Sequence, residues 1–174
     1  MRMIFSAVMV MGLMAQTARA QAAPTVLTAP GPVVTDSTNP SDYFSAEGLA
    51  TMQPDILAKA KSSVGGNAGV LLVHYPNHYI NLNVRVRPGS GELHSHWNDI
   101  FVVLDGEATE VTGGTIPGMT MDAKGEGHGA MVVGGVEHKL HKGDVLHITA
   151  GTPHQTLMEP GKTFTYIVIK VAKE

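Results

Sequence analysis

From Gly69 to the C-terminus the chain alternates apolar and polar residues, and a period of two predicts β-strands. The clearest case is His78 to Arg87, HYINLNVRVR, in which Ile80, Leu82, Val84 and Val86 fall on one face. A strand over Gly69 to Tyr75 precedes it, joined by a turn at Pro76-Asn77. Further strands are predicted near 92–96, 99–105, 107–112, 130–134, 137–140, 144–149, 153–158 and 163–172. Turn signals lie at Pro88-Gly89, Asp105-Gly106, Gly134-Gly135 and Lys142-Gly143. Many short strands at this spacing predict an all-β fold, one antiparallel sandwich or barrel over residues 69–174. Residues 113–129, GGTIPGMTMDAKGEGHG, break the rhythm and read as a surface excursion, a candidate lid over a site mouth.

Upstream of Gly69 the pattern changes. Residues 45–66 have helical composition, and Pro54 divides them into a short helical turn and a helix that begins at Pro54. Residues 21–44 are rich in Ala, Pro and Thr without a period, and read as an arm or linker. Its Val-rich part could instead pair as an edge strand with a neighbouring subunit. At the start, Arg2, the apolar run Ile4 to Met14 and the small-x-small pattern Ala18-Arg19-Ala20 have the form of a signal peptide over residues 1–20. Export to the periplasm or exterior is the expectation. No later stretch is long and apolar enough to span a bilayer as a helix.

Charge and composition remove several function classes. The 174-residue chain carries a net −3. Without Arg2 and Arg19, 10 basic residues face 15 acidic ones, a net −5. Such a chain has no electrostatic footprint for nucleic acid or an anionic membrane. With no cysteine there is no disulfide, thiolate nucleophile or thiolate metal site. Neither a G-x-S-x-G elbow nor a P-loop is present.

Two segments carry chemistry. In Gly91 to Gly106, GELHSHWNDIFVVLDG, His94 and His96 stand two apart, which on a strand puts both rings on one face within reach of one ion. Asp99 follows three residues later. In Gly143 to His154, GDVLHITAGTPH, a Gly-Asp start, a tight Ala-Gly turn and Pro153 lead to His154. If the second strand lies across from the first, His154 supplies a third imidazole, and three rings with room for solvent describe an open metal site.

Together these segments resemble the cupin family. Its first motif runs Gly, five residues, HxH, three or four residues, Glu, six residues, Gly. Its second runs Gly, five residues, PxG, two residues, His, three residues, Asn. His94, His96, Gly106, Gly143, Gly151 and His154 take motif positions, and Asp99 stands seven residues before Gly106, where the family has Glu. Asp99 is one residue nearer His96 than the family spacing, Thr149 replaces the Pro of PxG, Met158 replaces the final Asn, and Pro88 holds the place of the opening Gly.

The resemblance implies a small jelly-roll barrel, often a homodimer, with one divalent transition metal ion (Fe, Mn, Cu or Zn) on His94, His96 and His154. Asp99 is then either a fourth ligand or an acceptor that orients a ligand ring. Trp97, Asn98, His147 and Tyr166 are candidate substrate-binding residues, each with a plainer structural role as its rival. Glu92 reads as a solvated carboxylate at the strand edge. The implied function is a metal-dependent enzyme acting on a small organic molecule as a dioxygenase, decarboxylase, isomerase or lyase. Two alternatives stand beside it: a non-catalytic cupin that binds a metal or small ligand, and a copper-dependent cupin that cleaves polysaccharides oxidatively.

Overall fold

The computed structural model describes residues 34–35 and 41–174, so the expected signal peptide and most of the arm lie outside the described residues. The one helix among them is α1, Ala46–Ser62. Ser45 caps it by accepting the Gly48 amide at 3.0 Å, and Lys59 and Lys61 sit in the last turn, where the helix dipole favours cations. The helix runs unbroken through Pro54, not as two pieces meeting there. A mid-helix proline costs about 3 kcal/mol. Burial of Leu49 and Ile56, at about 1.5–3 kcal/mol each, offsets that cost.

Eleven strands follow the chain among the described residues. They are β1 (Val34–Thr35), β2 (Asn67–Tyr75), β3 (His78–Arg85), β4 (Gly91–His94), β5 (Trp97–Thr112) and β6 (Thr120–Met121). The rest are β7 (Glu126–Gly129), β8 (Val136–His141), β9 (Val145–Ile148), β10 (His154–Leu157) and β11 (Phe164–Ala172). One sheet runs β1-β2-β3-β11-β5-β9 and the other β6-β7-β4-β10-β5-β8. All pairings are antiparallel except β1 with β2, where Val34 meets Val73 within the same chain.

β5 belongs to both sheets. Residues 97–106 pair with β11 and residues 107–112 with β8, so the predicted turn at Asp105-Gly106 is a change of sheet inside one strand. Gly106 has φ +78°, and a Cβ there would stand 2.0 Å from the Thr163 carbonyl oxygen. Only glycine fits. The excursion at 113–129 holds β6 and β7, and the strand expected near 130–134 is reduced to a single bridge between Thr115 and Val133.

The alternation of β3 has a particular use. Leu82 and Val84 join Leu49, Ile56, Ala60, Ala68, Val70 and Leu72 in one apolar cluster, so this face packs on α1 outside the sheet. The opposite face, Tyr79, Asn81, Asn83 and Arg85, lines a cavity of about 530 Å³ that also receives residues of β4, β5, β10 and β11. A second cluster, including Phe101, Val103, Phe164 and Val168, forms the apolar core beside that cavity.

Candidate metal centre

β4 delivers Glu92 and His94 to one face, since they stand two apart on the strand. β10 begins at His154, paired directly with Glu92. Glu92, His94 and His154 each present a ligand atom, and the three atoms lie within 4.8 Å of one another. His94 Nε2 is 3.9 Å from Glu92 Oε2 and 3.6 Å from Asp99 Oδ2, and His154 Nε2 is 3.8 Å from the same Asp99 oxygen. Two donors each about 2.0–2.2 Å from one ion stand roughly 3–4.3 Å apart. The residues present therefore fit a divalent ion.

The outer nitrogens fix the tautomers. His94 Nδ1 meets Glu126 Oε2, and His154 Nδ1 lies 3.0 Å from the Thr152 carbonyl oxygen. A carbonyl only accepts, so His154 donates through Nδ1 and keeps its Nε2 lone pair. The carboxylate of Glu126 imposes the same on His94. Both lone pairs then face the cluster, the arrangement that metal-ligating histidines need. Burial drives the His94 pKa down to about 4, and Lys170 adds to the effect, so its ring is neutral at pH 7. Burial pushes the Glu92 carboxyl up, but electrostatic interaction with its basic neighbours His154, Arg85, His94 and Lys170 outweighs burial and holds Glu92 below its ordinary value.

The trio is not the one the sequence motif implied. β4 ends at His94, and Ser95 and His96 form a bend, so the period of two does not reach His96. His96 is exposed, and its ring lies over Gly125, where a Cβ would stand 2.8 Å from it. Glu92 takes the second strand position instead. The spacing held a signal for this: four residues separate His94 from Asp99, the family's own gap, whereas only two separate His96 from it. Glu126 came with no such signal, because the glycine-rich hairpin β6–β7 has no period to read.

Asp99 is buried beside both Nε2 atoms, and Lys170 Nζ stands 2.7 Å from each of its oxygens. Asn98 is tied to the backbone: Nδ2 donates to the Val171 carbonyl and Oδ1 accepts the Ala150 amide. Trp97 packs edge-on against Tyr79 with ring centres 5.2 Å apart. His147 is exposed on β9. Tyr166 is buried, stacks on Phe164 and lines the cavity. Burial, with Asp99 and Glu126 adding, pushes the Tyr79 phenol up to about 12, so it stays protonated as a donor into the cavity.

One strand shared by two facing sheets sets the first motif on β4 and β5 against the second on β9 and β10. The fold is a jelly roll of the cupin type. No family model matches the sequence, and no curated protein matches it. Solved structures do. A cupin-like protein from Thermotoga maritima is 18% identical over 55% of this chain and 57% of its own, with a TM-score of 0.37. The DMSP lyase DddQ from Ruegeria pomeroyi is 17% identical over 57% of this chain and 40% of its own, with a TM-score of 0.40. The chain spans about half the length of these two proteins. A protein from Bacillus halodurans is 13% identical over 79% of this chain and 86% of its own, with a TM-score of 0.47. None of these likenesses bears on which reaction the site serves.

Proposed function

We propose that the protein is a metal-dependent cupin enzyme acting on a small polar organic molecule, with Glu92, His94 and His154 as ligands and Asp99 beside them. One observation carries this reading: two histidines anchored through Nδ1 turn their Nε2 lone pairs to the point that the Glu92 and Asp99 carboxylates also approach. Two imidazoles with carboxylate suit iron, manganese or zinc. A bound ion would supply Lewis acidity toward a substrate oxygen. The chain's own contribution is to hold the donors, to keep Tyr79 protonated as a hydrogen-bond donor, and to place Lys170 at the Asp99 carboxylate.

The cavity supports this reading over a closed structural site. About 530 Å³ of space adjoins the donors, enough for a small ligand to reach an exchangeable position. A non-catalytic capture module would use the same space, and turnover separates the two. The copper-dependent polysaccharide reading loses support, since an all-imidazole set is what leans towards copper and the candidate ligands here include Glu92. Export, resting on residues 1–20, and assembly as a homodimer, resting on the resemblance, complete the proposal.

Calorimetric titration of the chelator-stripped protein with Fe(II), Mn(II), Zn(II) and Cu(II) tests the centre. One ion per chain is expected, with binding abolished in His94→Ala and His154→Ala. No binding of any of the four ions overturns the reading.

A further inference from the structure

The cavity extends away from the donor cluster along the inward face of β3, and that end is charged. Arg85 is 6% exposed and lines the same cavity as His94 and His154. Its Nη1 donates to the Arg87 carbonyl at 3.3 Å, while its Nε–H has no hydrogen-bond partner among the described residues. Asn81, on the same face between Arg85 and the Asp99 end, has a buried Oδ1 that is equally unmet. Folded proteins leave few such groups without partners, so a donor and an acceptor unmet in one cavity point to a ligand.

The surroundings hold the guanidinium in place. A Cβ at Gly89 would stand 3.0 Å from Arg85 Nη1, so the bare backbone there leaves the guanidinium its room. Gly89 is itself fixed, its amide donating to the Thr156 carbonyl at 2.8 Å and its carbonyl accepting Gln155 Nε2 at 2.8 Å. The Tyr166 phenol lies against the guanidinium from β11. Glu110 and Glu92 attract its charge, yet neither oxygen of Glu110 is hydrogen-bonded to the guanidinium, and Glu92 is turned to His94. An arginine fork held this way matches a carboxylate in two parallel hydrogen bonds.

We propose that Arg85 is a substrate-recognition residue that binds the carboxylate of a small organic acid whose other end reaches the Glu92–His94–His154 cluster. Asn81 Oδ1 accepts a hydroxyl or amide hydrogen of the same ligand between the two ends. The position of the far end rests on the metal-centre reading, whereas the carboxylate contact rests on Arg85 alone.

Succinate, malate and the neutral succinamide are titrated calorimetrically into the full chain, both ion-loaded and chelator-stripped. The acids are expected to bind both forms, and succinamide at least about tenfold more weakly than succinate. Arg85→Gln, checked for native folding by near-ultraviolet circular dichroism, is expected to bind acid and diamide equally. Arg85→Lys keeps the charge without the fork and should fall between. Equal wild-type affinity for succinate and succinamide overturns the proposal even where a variant fails to fold. So does the absence of any acid binding, or undiminished succinate binding in a folded Arg85→Gln. Acid binding through Arg85 in a chain that takes up no ion leaves this proposal standing and removes the metal centre.

Discussion

Lys170 Nζ lies 2.7 Å from both oxygens of Asp99, so the carboxylate nearest the two histidine Nε2 atoms is already neutralised by a cation that the fold supplies. Both side chains are largely buried, and removing one partner of such a pair costs about 3–5 kcal/mol because a buried charge is left bare. An incoming divalent ion therefore meets a neighbour of its own sign. In Lys170→Gln the stripped protein should lose about that much stability, while the ion, now the only cation available to Asp99, should bind about tenfold tighter. Melting curves with and without the ion check both effects. A thermal shift on ion binding no larger than wild type would show that Lys170 does not oppose the ion.

The trio of ligands separates two single substitutions cleanly. Glu92→Ala should cost at least about 100-fold in ion affinity, whereas His96→Ala should leave it unchanged within about twofold, since that ring is exposed and lies over Gly125. Calorimetry on the two variants is sufficient. The reverse order of effects would restore the set read from the sequence motif.

Glu126 is not among the proposed ligands; it fixes the ring of one, His94. Its carboxylate on His94 Nδ1 selects the tautomer with a free Nε2. Glu126→Gln, which keeps an acceptor but not the charge, should weaken ion binding less than Glu126→Ala. The alanine variant should lose about 10–100-fold. Equal, negligible losses in both would remove Glu126 from the centre.

Glu110 gives the fold a pH dependence. Burial raises its carboxyl pKa from 4.5 to about 7, against the opposing pull of neighbouring groups, the Thr156 hydroxyl among them. Between those two values the unfolded chain releases its proton and the folded chain keeps it, so stability falls as the pH rises through this window and levels off above about 7. In stripped protein, Glu110→Gln should be more stable than wild type at pH 8 by up to about 3 kcal/mol, with the difference vanishing near pH 4. Urea midpoints at the two pH values measure it. A variant that is no more stable at pH 8 would show that the buried carboxyl is compensated.

Much of the architecture was legible because strands announce themselves by alternation. Ile80, Leu82, Val84 and Val86 were read on one face, and Leu82 and Val84 indeed pack on α1. What periodicity could not show is where a strand stops. The pattern that paired His94 with His96 assumed two more extended residues than β4 has, and this one boundary moved Glu92 into the cluster and His96 out of it. Pro54 misled for a different reason: a local rule predicts a break, and packing of Leu49 and Ile56 on the sheet overrides it. His154, by contrast, was placed by its motif position and paired opposite β4 as the two segments required.

Since the apolar side of β3 faces a helix on the exterior, the polar side is free to furnish a wet chamber without weakening the greasy seam that keeps α1 attached. Asn81 and Asn83 can thus be exchanged for other residues at small cost to the scaffold. A lineage built on this plan is able to re-line its reaction vessel one alternate position at a time while the layer beneath α1 stays as it is.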